Sequence, residues 1–369
     1  MLEMNEMLKL VVERDGSDLH ISVGKPPVMR LHGGLDIVDP DVITPEDSDR
    51  LMREITPPRY QQQLQEQGSC DFAYAYSDMA RFRCAVFRAR GSISIVMRLI
   101  PSRILSFDQL GLPRDSIIEV LNAHRGLVLV TGPTGSGKTT SLATMIDYIN
   151  GERYCHIITV EDPLEYTHPH KKAIVTHREL HVDTPSFAYA LRGALRQDPD
   201  VILVGEMRDL ETMEAGITAA ETGHLVFGTL HTISASETIN RIIDAFPNNQ
   251  QEQIRAVLSV ALRTVIAQTL LPKASGRGRV AAYEILHNTP AVANLIREKK
   301  TNRIISTIQT SAKQGMITMD DYLLNLYKRG LITGEICLER CHYPSDMREK
   351  MMSLLGEASG DGESPPAGV

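Results

Sequence analysis

Apolar positions along the chain change period several times, and each change marks a different kind of element. Residues 4 to 12 carry Met4, Met7, Leu8, Val11 and Val12 at helical spacing, which predicts an opening amphipathic helix. Leu19, Ile21 and Val23 then alternate with polar neighbours, as one face of a half-buried strand does, and Pro26-Pro27 and Gly33-Gly34 punctuate the next stretch. Two further alternating stretches lie between 80 and 100. Phe82, Cys84 and Val86 oppose Arg81 and Arg83; Ile93, Ile95, Met97 and Leu99 oppose Ser92, Ser94 and Arg98. Strands interleaved with helices predict a small α/β or α+β domain over 1–100, followed by a Pro- and Gly-punctuated linker over 101–119.

From residue 120 the pattern becomes buried strands alternating with helices, the signature of a parallel sheet, and it holds to 288. The expected strands are Leu127–Thr131, His156–Glu161, Val201–Val204 and Leu225–Leu230. Thr184 is placed to cap a helix beginning at Pro185. Ser234 with Glu237 forms a capping box before Ile239, Ile242 and Ile243, and Pro247 stops that helix. Residues 289–356 read as helical, with starts at Thr289-Pro290 and at Thr318 with Asp321, and stops at Gly315 and Gly330. The tail, 357–369, has almost nothing to bury and is expected to be disordered. No internal repeat is visible.

Composition narrows the class. The 369 residues are 42% hydrophobic and 23% charged, which describes a globular chain of two or three domains. With no Trp and 5% aromatic residues, the cores must be aliphatic. A net charge of -7 argues against a nucleic-acid partner, and only Phe82 and Phe87 interleave with the arginines around them as a base-stacking platform would need. Apolar runs such as Leu127–Val130 and Val201–Val204 fall far short of the ~20 residues of a spanning helix. The acidic N-terminal segment is unlike a signal peptide. Five scattered cysteines (70, 84, 155, 337 and 341) read as reduced cytosolic thiols, and Cys337-x3-Cys341-His342 lacks a second ligand pair for a metal.

Chemistry concentrates in 120–288. Gly132-Pro133-Thr134-Gly135-Ser136-Gly137-Lys138-Thr139-Thr140 is a full Walker A sequence between an apolar strand and a helical pattern. Its glycines let backbone N–H groups turn inward around phosphates, the following helix adds its positive end, Lys138 is expected on the β- and γ-phosphates of ATP, and Thr139 is expected to offer a hydroxyl to Mg²⁺. Val201–Val204 runs into Gly205-Glu206, a Walker B-like strand with glycine where aspartate is usual, so Glu206 is the expected general base. Ligands of open parallel sheets bind at the carboxyl ends of strands, where Glu161 and His231 fall and His224 does not. Glu161 is therefore expected to hold Mg²⁺ or order water, and His231 to sense the γ-phosphate. Arg81, Arg83, Arg88, Arg90, Arg98 and Arg103 form the densest basic stretch; they are either a solvated face or a source of arginine fingers.

The order Walker A, Ile158–Tyr166, Leu195–Asp200 with Gly205–Asp209, then Gly223-His224 to His231-Thr232 resembles the type II/IV secretion ATPase superfamily, as its Walker A, Asp box, atypical Walker B and His box. Gly16-Ser17-Asp18-Leu19-His20-Ile21 and the compact length make it similar to that superfamily's type IV pilus retraction ATPases, over about 1–345. The resemblance implies a RecA-like P-loop domain, a smaller N-terminal PAS-like α/β domain and a helical C-terminal region. It implies a hexameric ring that hydrolyses ATP with Mg²⁺ to power pilus retraction in twitching motility. Arginines of the N-terminal domain would complete the site, with Arg81, Arg98 and Arg103 as candidates. The implied partners are further copies of the chain, an inner-membrane pilus platform protein and a paralogous motor ATPase, with the protein cytoplasmic and peripheral at the inner membrane. Two alternatives fall within the superfamily: an assembly ATPase for pilus extension or type II secretion, whose CxxC-rich insertion this sequence lacks, and an accessory nucleotide-gated paralogue. In Thr289–Glu298, Val292 and Ala293 stand where the retraction family usually has Ile-Arg.

Overall fold

The structure is a computed structural model that describes residues 3–31, 34–77, 80–100 and 103–360, with side chains to Leu354. Gly33, Pro101, Ser102 and the tail beyond 360 lie outside the described residues. The chain divides into two compact units.

The first unit holds residues to Ile104 together with Pro163–Thr167. Its elements are α1 (Met4–Glu13), β1 (Asp18–Ser22), β2 (Val28–Leu31), β3 (Gly34–Ile37), α2 (Pro45–Ile55), α3 (Pro58–Gln67), β4 (Ser69–Tyr76), β5 (Ala80–Ala89) and β6 (Ser92–Ile100). The strands form one sheet in the order β3-β2-β1-β6-β5-β4, antiparallel at every pairing, so of the two arrangements the pattern allows this is the α+β one. The alternation is realised as expected. Phe82, Cys84, Val86, Ile95 and Met97 are fully buried and join Met4, Met7, Leu8 and Val11 of α1 in one core.

The second unit runs from Leu105 to Asp162 and on from His168. It comprises α4 (Phe107–Leu110), α5 (Arg114–Leu121), β7 (Gly126–Thr131), α6 (Lys138–Glu152), β8 (His156–Glu161), β9 (Ile174–Glu179), α7 (Phe187–Ala194), β10 (Val201–Val204), α8 (Leu210–Glu221), β11 (Leu225–Leu230), α9 (Ala235–Asp244), α10 (Gln251–Ala261), β12 (Leu262–Pro272), β13 (Arg279–His287), α11 (Pro290–Arg297), α12 (Ile304–Thr310), α13 (Met319–Lys328), α14 (Gly334–Arg340) and α15 (Pro344–Gly360). The seven strands order as β13-β12-β7-β11-β10-β8-β9, parallel except for the β12–β13 pair, with one apolar core on each face. This is the RecA-like P-loop architecture, and α11 to α15 form the helical C-terminal region.

Four expectations are corrected. The linker is shorter than 101–119, because α4 and α5 bury Phe107, Leu110, Leu112, Ile117 and Leu121 in the second unit's core. The helix near Thr184 begins at Phe187 and is capped by Ser186, whose hydroxyl accepts from Tyr189 N at 3.1 Å. Thr184 precedes a proline, which disfavours the helical region and keeps it outside. Glu237 bonds Ile233 N rather than Ser234 N, so the capping box is offset by one residue. Helix α15 extends through Glu357–Gly360, which the sequence assigns to a disordered tail.

Candidate active site

Strand β7 delivers the chain into the Walker A loop. At Gly132 the backbone turns at φ 143° and passes so close to β12 that an added Cβ would sit 2.1 Å from the Gln268 carbonyl oxygen, so only glycine fits. Pro133, Thr134 and Gly135 form an exposed crest, and Ser136 is buried beneath it. Helix α6 starts after Gly137, which supplies no side-chain cap, so the positive end of the helix faces the loop where an anion would bind. Lys138 folds back over the loop and donates to the Gly132 and Pro133 carbonyls at 2.7 and 3.2 Å. Thr139 and Thr140 follow, half-buried, on the first turn. A glycine-built cradle, a helix start without a side-chain cap and a lysine folded over the loop fit a nucleotide's phosphates.

Strand register brings the other expected residues to the same sheet edge. Parallel β7, β11, β10 and β8 are consecutive neighbours, and the Walker A loop, His231, Glu206 and Glu161 all lie at their carboxyl ends. Glu161 is buried. The register sets Gly205 beside it, and a Cβ there would approach Glu161 Cα and the Val160 carbonyl oxygen to 3.2 Å. The atypical glycine thus lets β10 end tightly against Glu161 and puts the next carboxylate one residue further along. Glu206 is anchored through buried Met207, whose N–H donates to the Thr229 carbonyl at 3.0 Å.

The Glu206 carboxylate is partnered twice: His231 Nε2 lies 2.6 Å from its Oε1, and Arg208 Nε donates to the same oxygen. The bond to Glu206 raises the Arg208 pKa above its ordinary value. Arg208 was not singled out from the sequence, although it sits two residues from the expected base. A line of buried hydroxyls then joins the two ends of the site. Thr131 at the end of β7 is 3.5 Å from Thr238 on α9, which is 2.7 Å from Thr232, the residue after His231. His224 lies at the opposite strand end with Nδ1 on the Ala219 carbonyl, a local structural role.

The β12–β13 hairpin contributes two buried polar groups that sequence reasoning missed. Gln268 faces the Walker A loop, while Glu284 accepts the N–H of Ala235, the first residue of α9, at 2.8 Å. Burial pushes the Glu284 carboxyl above its ordinary value. Among the described residues no cluster of three or more His, Cys, Asp or Glu could hold a metal. Cys337 is pushed up to about 11 by burial, so that thiol stays protonated. Thr139 and Glu161 suit only a hard cation that takes most of its ligands from phosphate and water, as Mg²⁺ does.

The three arginine candidates belong to the first unit. Arg98 is a cross-strand neighbour of Asp18 and donates to its Oδ1 at 2.8 Å, with Arg30 on the other side at 3.9 Å. Arg81 is half-buried on β5, and Arg103 is exposed just beyond β6.

A sequence profile described as "Type II/IV secretion system protein" matches residues 4–323. The chain belongs to this family. Among its relatives, the type IV pilus retraction ATPase PilT of Pseudomonas aeruginosa is 45% identical over 94% of this chain and 100% of its own length. The type IV pilus ATPase PilU of the same organism is 39% identical over 97% of this chain and 93% of its own. A crystal structure of the pilus retraction motor PilT with bound ADP superimposes with a TM-score of 0.88 at 49% identity, covering 95% of this chain and all of that one.

Proposed function

We propose that this protein hydrolyses ATP to power type IV pilus retraction, working as a homohexamer against an inner-membrane platform protein. One observation carries the reading: four adjacent strand ends converge the Walker A loop, His231, Glu206 and Glu161. Full-length similarity to a retraction ATPase supports the cellular role. Among the described residues no helix is long and apolar enough to cross a membrane, so attachment to the membrane's inner face would be peripheral.

The residues divide the work by chemistry. The loop and Lys138 bind the phosphates, and Lys138 would exchange its bonds to the Gly132 and Pro133 carbonyls for phosphate oxygens. Glu206 takes a proton from the attacking water, and His231, bonded to the same carboxylate, couples that base to the γ-phosphate's presence. Thr139 and Glu161 would hold Mg²⁺, which neutralises phosphate charge when bound. Arg81, Arg98 or Arg103 would complete the site as fingers.

A second reading is an accessory motor beside a principal one. It is favoured by Ala293 on α11, where the retraction family usually carries arginine, and by the strong similarity to a PilU relative. Gene deletion with a motility readout tests both. Surplus non-retracting pili mark a retraction motor, bald cells mark an extension motor, and unchanged retraction marks the accessory role.

A further inference from the structure

We infer that Gln268 is the positioning residue of the Walker A loop, holding the Ser136–Gly137 peptide so that the Gly137 N–H faces the phosphate side. The inference rests on reading that loop as the nucleotide site. Gln268 is 2% exposed and sits on β12, one residue past the Ala267–Thr131 pair, so its backbone runs against Gly132. Its side chain reaches under the loop. Nε2 donates to the Ser136 carbonyl at 2.7 Å, and Oε1 accepts from the Ser141 hydroxyl on α6 at 2.8 Å. A carbonyl can only accept, so the nitrogen must face Ser136 and the oxygen must face Ser141; the amide fits in one orientation.

A trans peptide sets its C=O and N–H antiparallel. Pinning the Ser136 carbonyl toward Gln268 therefore turns the Gly137 N–H the opposite way. Gly137 takes φ 88°, which favours glycine, and a Cβ there would come within 2.9 Å of Gln268 Nε2 and displace the amide. Ser141 lies one turn into α6, so a single amide ties the loop to the helix whose N-terminus must point with it. Backbone N–H donors cradle phosphate only if held in place beforehand, and a loop anchored solely by its own turn bonds would spend binding energy on ordering.

The test measures ADP and ATP dissociation constants, KM and kcat for Gln268→Met, Gln268→Glu and Ser141→Ala in the full chain, with Lys138→Ala alongside. Gln268→Met keeps the volume and loses both hydrogen bonds; affinity for both nucleotides is expected to fall about 10-fold or more, with KM rising more than kcat falls. Gln268→Glu supplies the diagnostic arm. Its buried carboxylate repels the Ser136 carbonyl when ionised and regains a donor when protonated, so its nucleotide affinity should recover as pH is lowered from 8.5 to 6 while the wild type's does not. A role in stability alone would lower the melting temperature without that recovery. Should Gln268→Met fail to fold, Ser141→Ala and the pH series carry the test. Wild-type dissociation constants in folded Gln268 variants, with binding lost in Lys138→Ala, overturn the inference but leave the nucleotide site standing. Undiminished binding in Lys138→Ala overturns both.

Discussion

His231 Nε2 and Glu206 Oε1 lie 2.6 Å apart, and the carboxylate that should activate water is thereby tied to the residue that should read the γ-phosphate. Arg208 grips the same oxygen, so Glu206 is held by two donors while Lys138 rests on its own loop. Glu206→Gln keeps the shape and removes the proton acceptor. ATP should still bind while single-turnover hydrolysis falls about 10²-fold or more. Normal hydrolysis in Glu206→Gln with loss in Glu161→Gln would move the base to the other carboxylate. His231→Ala leaves Glu206 held by Arg208 alone and should lower kcat with little change in ADP affinity.

Lys138→Ala removes a cation whose bonds to phosphate are charge-assisted, each worth about 1.5–3 kcal/mol. Nucleotide affinity should drop by roughly 10- to 150-fold and hydrolysis should become undetectable. Equilibrium titration with a fluorescent ADP analogue and a phosphate-release assay read the two effects separately. Wild-type turnover would withdraw the phosphate-binding role of the loop.

The parts of this site that were legible in the sequence are those whose chemistry is local. A glycine-rich run between a strand and a helix, or an acid ending an apolar strand, announces itself within ten residues. The four strands that lead to Gly132, Glu161, Glu206 and His231 were legible for the same reason, being short apolar runs bounded by polar ends. Strands β12 and β13 were not. Helix α10 passes into β12 between Ala261 and Leu262 with no glycine or proline to punctuate it, and helical and strand periods cannot be separated across such a join. Gln268 was lost with the strand, because its partners Ser136 and Ser141 are more than 120 residues away. Edge strand β9 escaped because Thr176, His177, Arg178 and Glu179 hide its alternation.

Beside β8 and β9 lies a histidine cluster that makes the fold sensitive to acid. His168 is buried, stacks on His177 and donates its backbone N–H to His177 Nε2 at 3.0 Å. That bond requires His177 to carry its proton on Nδ1, which then donates to Thr159 Oγ1 at 2.8 Å. Burial, with His177 and Lys171 nearby, holds His168 well below its ordinary 6.5, against the pull of Asp147 at 3.8 Å. The unfolded chain therefore binds a proton that the folded one refuses, and stability falls as pH drops below 6.5. Denaturant melts of His168→Gln should show a flatter pH dependence from pH 6.5 downward than the wild type. An unchanged slope would place the acid sensitivity elsewhere.

The arginines of the first unit pose the sharpest choice, since one of them already has a structural task. Asp18 is buried, which works against its charge, yet the Ser17 hydroxyl and the Arg98 guanidinium hold its carboxyl below the ordinary value. The stability this contributes is present above the usual carboxylate range and is lost as pH falls through the lowered value. Arg98→Ala should therefore cost some stability whatever its part in hydrolysis, and its activity must be read beside a melting curve. Its guanidinium is largely exposed, so the pair itself is worth only ~1 kcal/mol or less. An arginine finger is worth about 10³–10⁵ in rate, or ~4–7 kcal/mol of transition-state stabilisation, so the two roles separate by magnitude. Alanine at Arg81, Arg98 and Arg103 in turn should single out one or two positions that cut kcat by orders of magnitude with the melting temperature nearly kept. A truncated chain beginning at Leu105, which retains Phe107, Leu110 and Leu112 for the second unit's core, should fold and be nearly inactive. Hydrolysis by that truncated chain at the full-length rate would leave those arginines as a solvated face and nothing more.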